Sequence, residues 1–307
     1  MKMGTSAKVM DKTTKVSRLP QTLYKFKKNK RAVFGLIVLL IILLIAIFAV
    51  DPWGNPLLVP YDPYGHLPTS ERLDRIGESP SPQHLLGLDD LGRDLLSRIM
   101  LGCRISITIG LVSVSIALVI GTIIGALCGY YGKWIDHIFM RLIDVMMAFP
   151  AFLLALMIIA ILGPTLQNAM VAVGMALIPI YARLTRGQVI SIKQNDYVEA
   201  ARMVGARDWR ILAWHILPNA AGPLIVQSTL NFASAILSAA ALGFLGLGAQ
   251  PPTPEWGVML NQGRLYLLTG KIHLSLFPGL AIILTVLAFN LVGDGLRDAL
   301  DPRMVAD

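Results

Sequence analysis

Long apolar runs separated by short polar stretches dominate this sequence. Residues 32–50 are nineteen positions without one polar side chain, and a helix of that length spans about 28 Å, enough to cross the hydrocarbon core of a bilayer. Charged side chains are also absent from residues 105–132, 145–182, 216–254 and 274–292. Because the run 145–182 is too long for one crossing, the pattern predicts six transmembrane helices.

Glycine and proline divide the long runs. Residues 163–165, Gly-Pro-Thr, separate the third span from the fourth, and the fifth span is expected to end between residues 242 and 248. Pro150 and Pro179 are expected to kink the third and fourth spans, because proline lacks the amide hydrogen that a helix interior uses.

The second span carries a stripe of small residues. Gly121, Gly125 and Gly129 recur every four positions, a spacing that lets helix backbones approach closely and therefore predicts a packing face. Cys103 and Cys128 fall on the same predicted helix, more than about 30 Å apart, which excludes a disulfide between them. Both are expected to be buried.

Charged residues mark the ends of the second and third spans. Lys133 and Asp136 predict a short turn after the second span. Arg141 and Asp144, three positions apart on one helical face, are expected to pair with each other. Before the second span, residues 90–101 place apolar side chains on one side and charged ones on the other, which predicts an amphipathic helix lying flat at the outer membrane interface.

The order of segments follows from these patterns. Residues 51–83 are rich in Pro, Tyr, Asp and Gly and lack a helical or strand period, which predicts an outer loop of turns. The predicted organisation is a basic cytoplasmic tail at 1–31, a first span at 32–50, an outer loop with an interfacial helix at 51–104, a five-helix membrane core at 105–292 that contains the polar segment 195–219, and a charged cytoplasmic tail at 293–307.

Composition supports a membrane protein. The 307 residues are 55% hydrophobic and 15% charged, whereas soluble domains carry about 25% charged residues. The net charge of +8 does not indicate nucleic-acid binding, because residues 1–31 alone hold ten Lys or Arg and one acid. A basic stretch directly before an apolar span is typical of a cytoplasmic anchor, and six spans then place both termini in the cytoplasm.

Residues 195–219 form the one long polar interruption in the apolar C-terminal two-thirds of the chain. The pattern predicts two short helices. Asn195 is expected to cap the first, and Gly205 is expected to end it in a left-handed conformation. Asp208 is expected to cap the second helix, which is expected to end at Pro218.

The first of these helices has a low, smooth face. Ala200, Ala201 and Val204 lie beside the carboxylate of Glu199, and such a face suits docking into a groove of another protein. The same pattern is also compatible with an ordinary cytoplasmic loop, and the residues alone leave both interpretations open.

The segment resembles the EAA loop of ABC-transporter permease subunits. The matching positions are Glu199-Ala200-Ala201, Gly205 and Ile216-Leu217-Pro218. The general pattern has an apolar residue where this chain has His215, and the form His-Ile-Leu-Pro-Asn is similar to the DppC/OppC-like branch, which imports dipeptides, oligopeptides or nickel. Four further stretches resemble that branch in the same order, at residues 86–94, 147–150, 244–257 and 293–303.

This resemblance implies the type I ABC importer permease fold and a set of partners. They are a second homologous permease subunit, two ATPase subunits that bind the EAA loops, a substrate-binding protein outside the cell and the lipid bilayer of a bacterial or archaeal plasma membrane. ATP and Mg²⁺ are then bound by the ATPases and not by this chain. The residues implied in coupling are Glu199, Ala200, Ala201, Gly205, Asp208 and Pro218.

Catalytic and metal-binding patterns are absent from the sequence. It contains no G-x-x-x-x-G-K-[ST] phosphate loop, no nucleophile elbow and no histidine pair at metal-ligand spacing. We therefore expect that the chain is not an enzyme and that it binds no cofactor itself. A stand-alone secondary transporter or channel is the alternative of a different class, but such proteins are expected to show repeats and carboxylates near the membrane midplane. The candidate pathway-lining residues are Gln167, Gln227 and Asn231.

Overall fold

The computed structural model describes residues 24–49, 57–66, 68 and 75–300. The predicted all-α fold is confirmed. In chain order the helices are α1 (Lys30–Phe48), α2 (Leu95–Tyr131), α3 (Lys133–Met147), α4 (Ala151–Leu162), α5 (Leu166–Ile192), α6 (Asp196–Met203), α7 (Asp208–Arg210), α8 (Leu217–Phe244), α9 (Trp256–Arg264) and α10 (His273–Leu300). A π-helix, Ile211–Ile216, joins α7 to α8, and a 3-10 helix, Leu267–Thr269, precedes α10.

Five helices of the described residues are long and apolar enough to cross a membrane: α1, α2, α5, the continuous helix that includes α7 and α8, and α10. A sixth span exists if α3 and α4 are taken together, and these two are bent by 94°. Pro150 lies at the bend with a ψ of 134° and has no amide hydrogen, so the helix breaks there completely instead of kinking as predicted. Pro179 lies inside α5, as predicted.

The glycine stripe of α2 packs against α5, which confirms the predicted packing face. A Cβ added at Gly125 would lie 2.3 Å from the carbonyl oxygen of Ala182, and one at Gly121 would lie 2.5 Å from the Cβ of Tyr181. Such distances leave no room for a side chain, so glycine is required for these two helices to approach this closely.

The predicted ends of the spans agree with the helices for most of the chain. The first span occupies Lys30–Phe48, α4 and α5 are separated at the predicted hairpin, and α8 ends at Phe244. Beyond the predicted end of the sixth span, α10 continues through charged residues as far as Leu300. Residues 301–307 and most of the predicted basic tail, 1–31, lie outside the described residues.

The predicted interfacial helix at residues 90–101 is wrong as a separate element. The helix begins at Leu95 and continues as the 37-residue α2, with Asp94 as its cap, whose Oδ2 accepts from the amide of Ser97 at 2.8 Å. Its charged side does not face outward, since Arg98 is 1% exposed. Helical periodicity separates polar from apolar positions, but it cannot tell whether the polar side meets water or other polar groups of the chain.

The predicted ion pair between Arg141 and Asp144 is also wrong. Asp144 pairs with Arg183 of α5 at 2.6 Å. The predicted turn at Lys133 and Asp136 is instead the first turn of α3, and both carboxylate oxygens of Asp136 accept from α5 at 2.6 Å. These carboxylates lie within reach of the charged last turns of α5, a neighbour that spacing along α3 cannot reveal.

The two ends of α2 define the two ends of the bundle. At the Glu255 end, defined by residues 75–98 and 250–273, Glu255 caps α9 by accepting from the amides of Gly257 and Val258 at 2.9 Å each. Burial raises the pKa of Glu255 to about 7, although these backbone hydrogen bonds oppose the shift. At the Asp208 end, defined by residues 130–147 and 193–216, the polar segment packs against the ends of α2 and α5.

Candidate functional site

The polar segment begins with α6, which follows Asn195. Asn195 occupies the cap position predicted for it, but its side chain makes no capping hydrogen bond. Asp196 and Glu199 lie in the first turn, where their negative charge is favoured by the helix dipole. Glu199 and its neighbour Ala200 are exposed.

Gly205 ends α6 in the left-handed conformation that was predicted, with a φ of +83°. Its amide donates to the carbonyl of Arg202 at 3.0 Å, and the amide of Ala206 donates to Ala201 at 3.1 Å. This pair of hydrogen bonds is the Schellman arrangement, which satisfies the last carbonyls of a helix. A Cβ at Gly205 would meet nothing within 4 Å, so the requirement for glycine at this turn is set by the backbone conformation and not by crowding.

The second half of the segment differs from the prediction. Asp208 does not cap a helix; Arg207 holds the cap position, and Oδ1 of Asp208 accepts a hydrogen bond of 2.6 Å from the hydroxyl of Tyr130. The helix does not end at Pro218 either, because α7 continues through the π-helix into α8. The amide of Leu217 donates to the carbonyl of Leu212, five positions back as in a π-helix, directly before Pro218, which has no amide hydrogen to donate.

Buried apolar side chains hold the segment on the membrane spans. Val198 of α6 and Ile211 and Ile216 of the π-helix are at most 1% exposed. They pack in one cluster with Val189 and Ile192 of α5. Burial of three such side chains is worth several kcal/mol, at roughly 1.5–3 kcal/mol each, so the segment is fixed to the ends of the spans.

Large apolar side chains are exposed at the protein surface on the other side of the segment. Met203 is 81% exposed, Val204 85%, Trp209 60% and Trp214 70%. We call these four residues and Glu199 the docking face. Exposed apolar residues of this size are candidates for an interaction site.

Two of the three predicted alanine and valine positions lie on this side of the segment. Ala200 and Val204 are exposed, whereas Ala201 is half-buried and packs against the apolar cluster below. Sequence reasoning missed Met203 and the two tryptophans of the docking face. The sequence does contain a signal for the two tryptophans, because residues 209–216 include more large apolar side chains than one helical face can bury.

Comparison with known proteins identifies the chain. Residues 121–306 match the family model described as "Binding-protein-dependent transport system inner membrane component". Residues 17–76 match the model of the "N-terminal TM domain of oligopeptide transport permease C". The chain belongs to the family of binding-protein-dependent transport system inner membrane components. As a permease subunit of this family it is a multi-pass membrane protein and a transporter component, not an enzyme.

Several relatives of this permease match it over nearly its whole length. It is 48% identical to the dipeptide transport system permease protein DppC of Alkalihalophilus pseudofirmus, over 96% of this chain and 93% of that protein. It is 48% identical to the di/tripeptide transport system permease protein DppC of Pseudomonas aeruginosa, over 94% and 93%. It is 49% identical to the glutathione transport system permease protein GsiD of Pectobacterium atrosepticum, over 88% and 86%.

A solved structure supports the permease fold. A chain of the MetNI methionine ABC transporter, in an inward-facing conformation, is similar to this permease with a TM-score of 0.52 and 21% sequence identity. The similarity covers 64% of this chain and 94% of that chain. The predicted importer permease fold is therefore confirmed.

The structure brings together two of the three candidate pathway residues of the permease. The side-chain nitrogen Nε2 of Gln227 donates to Oδ1 of Asn231 at 3.1 Å, one helical turn along α8. Asn231 is 4% exposed, and the hydroxyl of Tyr181 donates to the neighbouring Ser228 at 3.2 Å. Gln167 is exposed in the first turn of α5, roughly 20 Å along that helix from Tyr181. Whether these residues line the pathway stays a prediction.

Metal-ligating side chains do not cluster in the described residues. No group of three or more His, Cys, Asp or Glu there is arranged to hold a metal ion. Cys103 and Cys128, both on α2, are buried and unpaired with each other, as predicted.

Proposed function

We propose that this permease forms one half of the membrane pathway of an ATP-driven importer of short peptides. The observation that carries the proposal is the docking face, which the buried side of the same segment fixes to the spans. A displacement applied to Met203, Val204 and Trp209 would be transmitted to α2 and α5, because the segment rests on their ends. That arrangement is what a subunit needs if another protein hydrolyses ATP for it.

The partners proposed for this chain follow from its family. They are a second homologous permease subunit, two ABC ATPases that bind the docking faces, and a substrate-binding protein outside the cell. Glu199, Ala200, Ala201, Gly205, Asp208 and Pro218 belong to the coupling segment. ATP and Mg²⁺ would be bound by the ATPases, and this chain would hold no cofactor of its own.

Short peptides are the proposed cargo because the relatives that match most of the chain are named for dipeptides, di/tripeptides and glutathione. The neutral side-chain amide of half-buried Gln227 fits this class, since an amide can pair with peptide groups without selecting a side chain. Nickel or another small solute is the alternative cargo on the same architecture.

Uptake into liposomes tests the function. The complete complex, with the ATPases inside and a radiolabelled dipeptide delivered by the binding protein outside, is expected to import the dipeptide only when ATP is present. The matched control contains ADP in place of ATP. Uptake that proceeds equally with ADP would indicate a secondary transporter, and uptake of a nickel chelate but of no peptide would overturn the proposed cargo.

We propose that both termini lie in the cytoplasm of a bacterial or archaeal cell and that the Glu255 end faces outward. Single cysteines at the exposed positions Gln83 and Gln250 are expected to react with an impermeant maleimide on intact cells. A cysteine at exposed Asn195 is expected to react only after the membrane is opened. The native Cys103 and Cys128 are buried and provide a low background. Labelling of Asn195→Cys on intact cells would reverse the orientation.

A further inference from the structure

The last turn of α2 holds one side chain that contacts three separate parts of the Asp208 end. Tyr130 is 4% exposed, and its hydroxyl donates the 2.6 Å hydrogen bond to Asp208 at the start of α7. Arg202 of α6 donates to the same hydroxyl at 3.5 Å. Lys193, which follows α5, donates to the carbonyl oxygen of Tyr130. One residue of a membrane span therefore connects to α6, to α7 and to the residue that follows α5.

The ring of Tyr130 strengthens these connections. Nζ of Lys193 lies 5.2 Å and Cζ of Arg202 lies 5.9 Å from the ring centroid, distances at which a cation is attracted to an aromatic face. The ring also belongs to the apolar cluster that contains Ile211 and Ile216. Apolar contacts hold the segment against the spans but do not fix its direction, whereas a short hydrogen bond to a carboxylate does.

We propose that Tyr130 is a positioning residue for coupling, which transmits displacement of the docking face to α2 through its hydrogen bond with Asp208. The inference rests on the proposed function and assigns the contact that passes movement from the segment to the pathway. The carboxylate of Asp208 is available for this contact because it caps no helix. α2 is a single helix of 37 residues, so a movement at Tyr130 reaches the Glu255 end, roughly 55 Å away.

The packing of α2 against α5 widens the effect of this contact. The close approach at Gly125 fixes the two helices to each other, since the neighbouring atom on α5 is backbone and cannot move aside. A pull on Tyr130 therefore moves α5 as well, and α5 carries Tyr181 beside the polar cluster of α8. Without the Tyr130 hydroxyl, the segment would slide along the apolar cluster and part of the displacement would be lost.

The test compares Tyr130→Phe with Tyr131→Phe in the reconstituted complete complex. Tyr130→Phe keeps the ring and its apolar and cation contacts but removes the hydroxyl bond to Asp208. Tyr131→Phe makes the same chemical change next to it, on a ring that is 44% exposed. The quantity measured is the number of ATP molecules hydrolysed per dipeptide imported. We expect this ratio to rise at least about fivefold for Tyr130→Phe and to stay at the unaltered value for Tyr131→Phe.

Asp208→Asn provides a second comparison in the same experiment. Added to Tyr130→Phe it is expected to raise the ratio no further, because the two residues act through one hydrogen bond. A purely structural role for Tyr130 would lower the yield of complex, or lower hydrolysis and import together, and would leave the ratio unchanged. An unchanged ratio in Tyr130→Phe, or additive effects of the two substitutions, overturns the inference while the proposed function stands. Failure of the unaltered complex to import with ATP overturns the proposed function and this inference with it.

Discussion

The Glu255 end and the Asp208 end of the bundle differ in how far their ion pairs are buried. At the Glu255 end, Asp89 and Arg93 are at most 5% exposed and pair at 2.6 Å, and Glu255 is satisfied by backbone amides. At the Asp208 end, the pair of Asp144 with Arg183 is about half exposed on both sides. Large apolar side chains are exposed at both ends, in the docking face at the Asp208 end and at Leu265 and Leu268 at the Glu255 end.

This difference indicates at which end the charged groups depend on partners within the chain. A buried charge is tolerated only when its partners are present, so the Glu255 end carries its own partners for these charges. Trp209 and Trp214 expose apolar area that a partner surface would cover. The Glu255 end therefore depends on buried ion pairs within the chain, whereas the ion pair of Asp144 with Arg183 at the Asp208 end is open to its surroundings.

The largest expected effect is the loss of the shared carboxylate at the Glu255 end. Oδ2 of Asp89 lies 2.6 Å from Nε of Arg93 and 3.2 Å from Nε of Arg98. Asp89→Asn keeps the shape of the side chain but removes the negative charge that two buried guanidinium groups share. This is expected to lower the free energy of unfolding by about 3–5 kcal/mol. Unfolding of the purified chain in detergent, followed by circular dichroism, measures the change.

Asp144→Asn is the matched control at the Asp208 end. It removes one charge from an ion pair in the same way, but the pair with Arg183 is about half exposed, so the expected cost is about 0–1 kcal/mol. Equal losses for the two substitutions would contradict the contrast between the ends.

The docking face is expected to show the reverse pattern, with loss of binding and little loss of stability. Glu199→Lys replaces an exposed carboxylate by a cation and is expected to weaken association with the ATPases roughly tenfold or more. Binding of the purified ATPases to the permease in nanodiscs measures this. Glu199→Gln, which removes the charge but keeps the length, is expected to lie between the unaltered chain and Glu199→Lys. Binding of both variants at the unaltered affinity would exclude Glu199 from the interface.

The pH dependence of stability is expected to arise at the Glu255 end. The pKa of Glu255 is about 7 in the folded chain against an ordinary value of 4.5, so the folded state binds more protons between these two values. Stability is then complete below about pH 4.5 and falls as the pH rises through 7, by roughly 3 kcal/mol at most. The difference in unfolding free energy between the unaltered chain and Glu255→Gln, measured from pH 5 to 8, is expected to fall with pH. A flat difference would exclude a raised pKa.

A small effect is expected at the turn that follows α6. Gly205→Ala places a Cβ in a left-handed conformation, which costs about 1 kcal/mol although the space around it is open. Gly187→Ala is the matched control, because that glycine lies inside α5 with equally open space. There alanine is expected to stabilise the helix by about 0.5–1 kcal/mol. The same sign of change at both positions would contradict a strained turn at Gly205.

Much of the fold could be predicted because the relevant signals are local. The glycine stripe through Gly125, the left-handed turn at Gly205 and the hairpin between α4 and α5 follow from the residues at those positions. The break at Pro150 was predicted only as a kink, since the size of a bend depends on what the two halves pack against. Tyr130 carried no signal, because it stands at the end of a charge-free run like any interfacial aromatic residue.

The sequence by itself determined where the long apolar helices lie, because the length and polarity of a run are properties of one segment at a time. The tertiary structure alone decided which charges pair and which face of the polar segment is buried. Asp208 meets Tyr130 across 78 positions of sequence, and Asp144 meets Arg183 across 39. Such contacts depend on how the helices pack, and neither periodicity nor spacing along one helix contains that information.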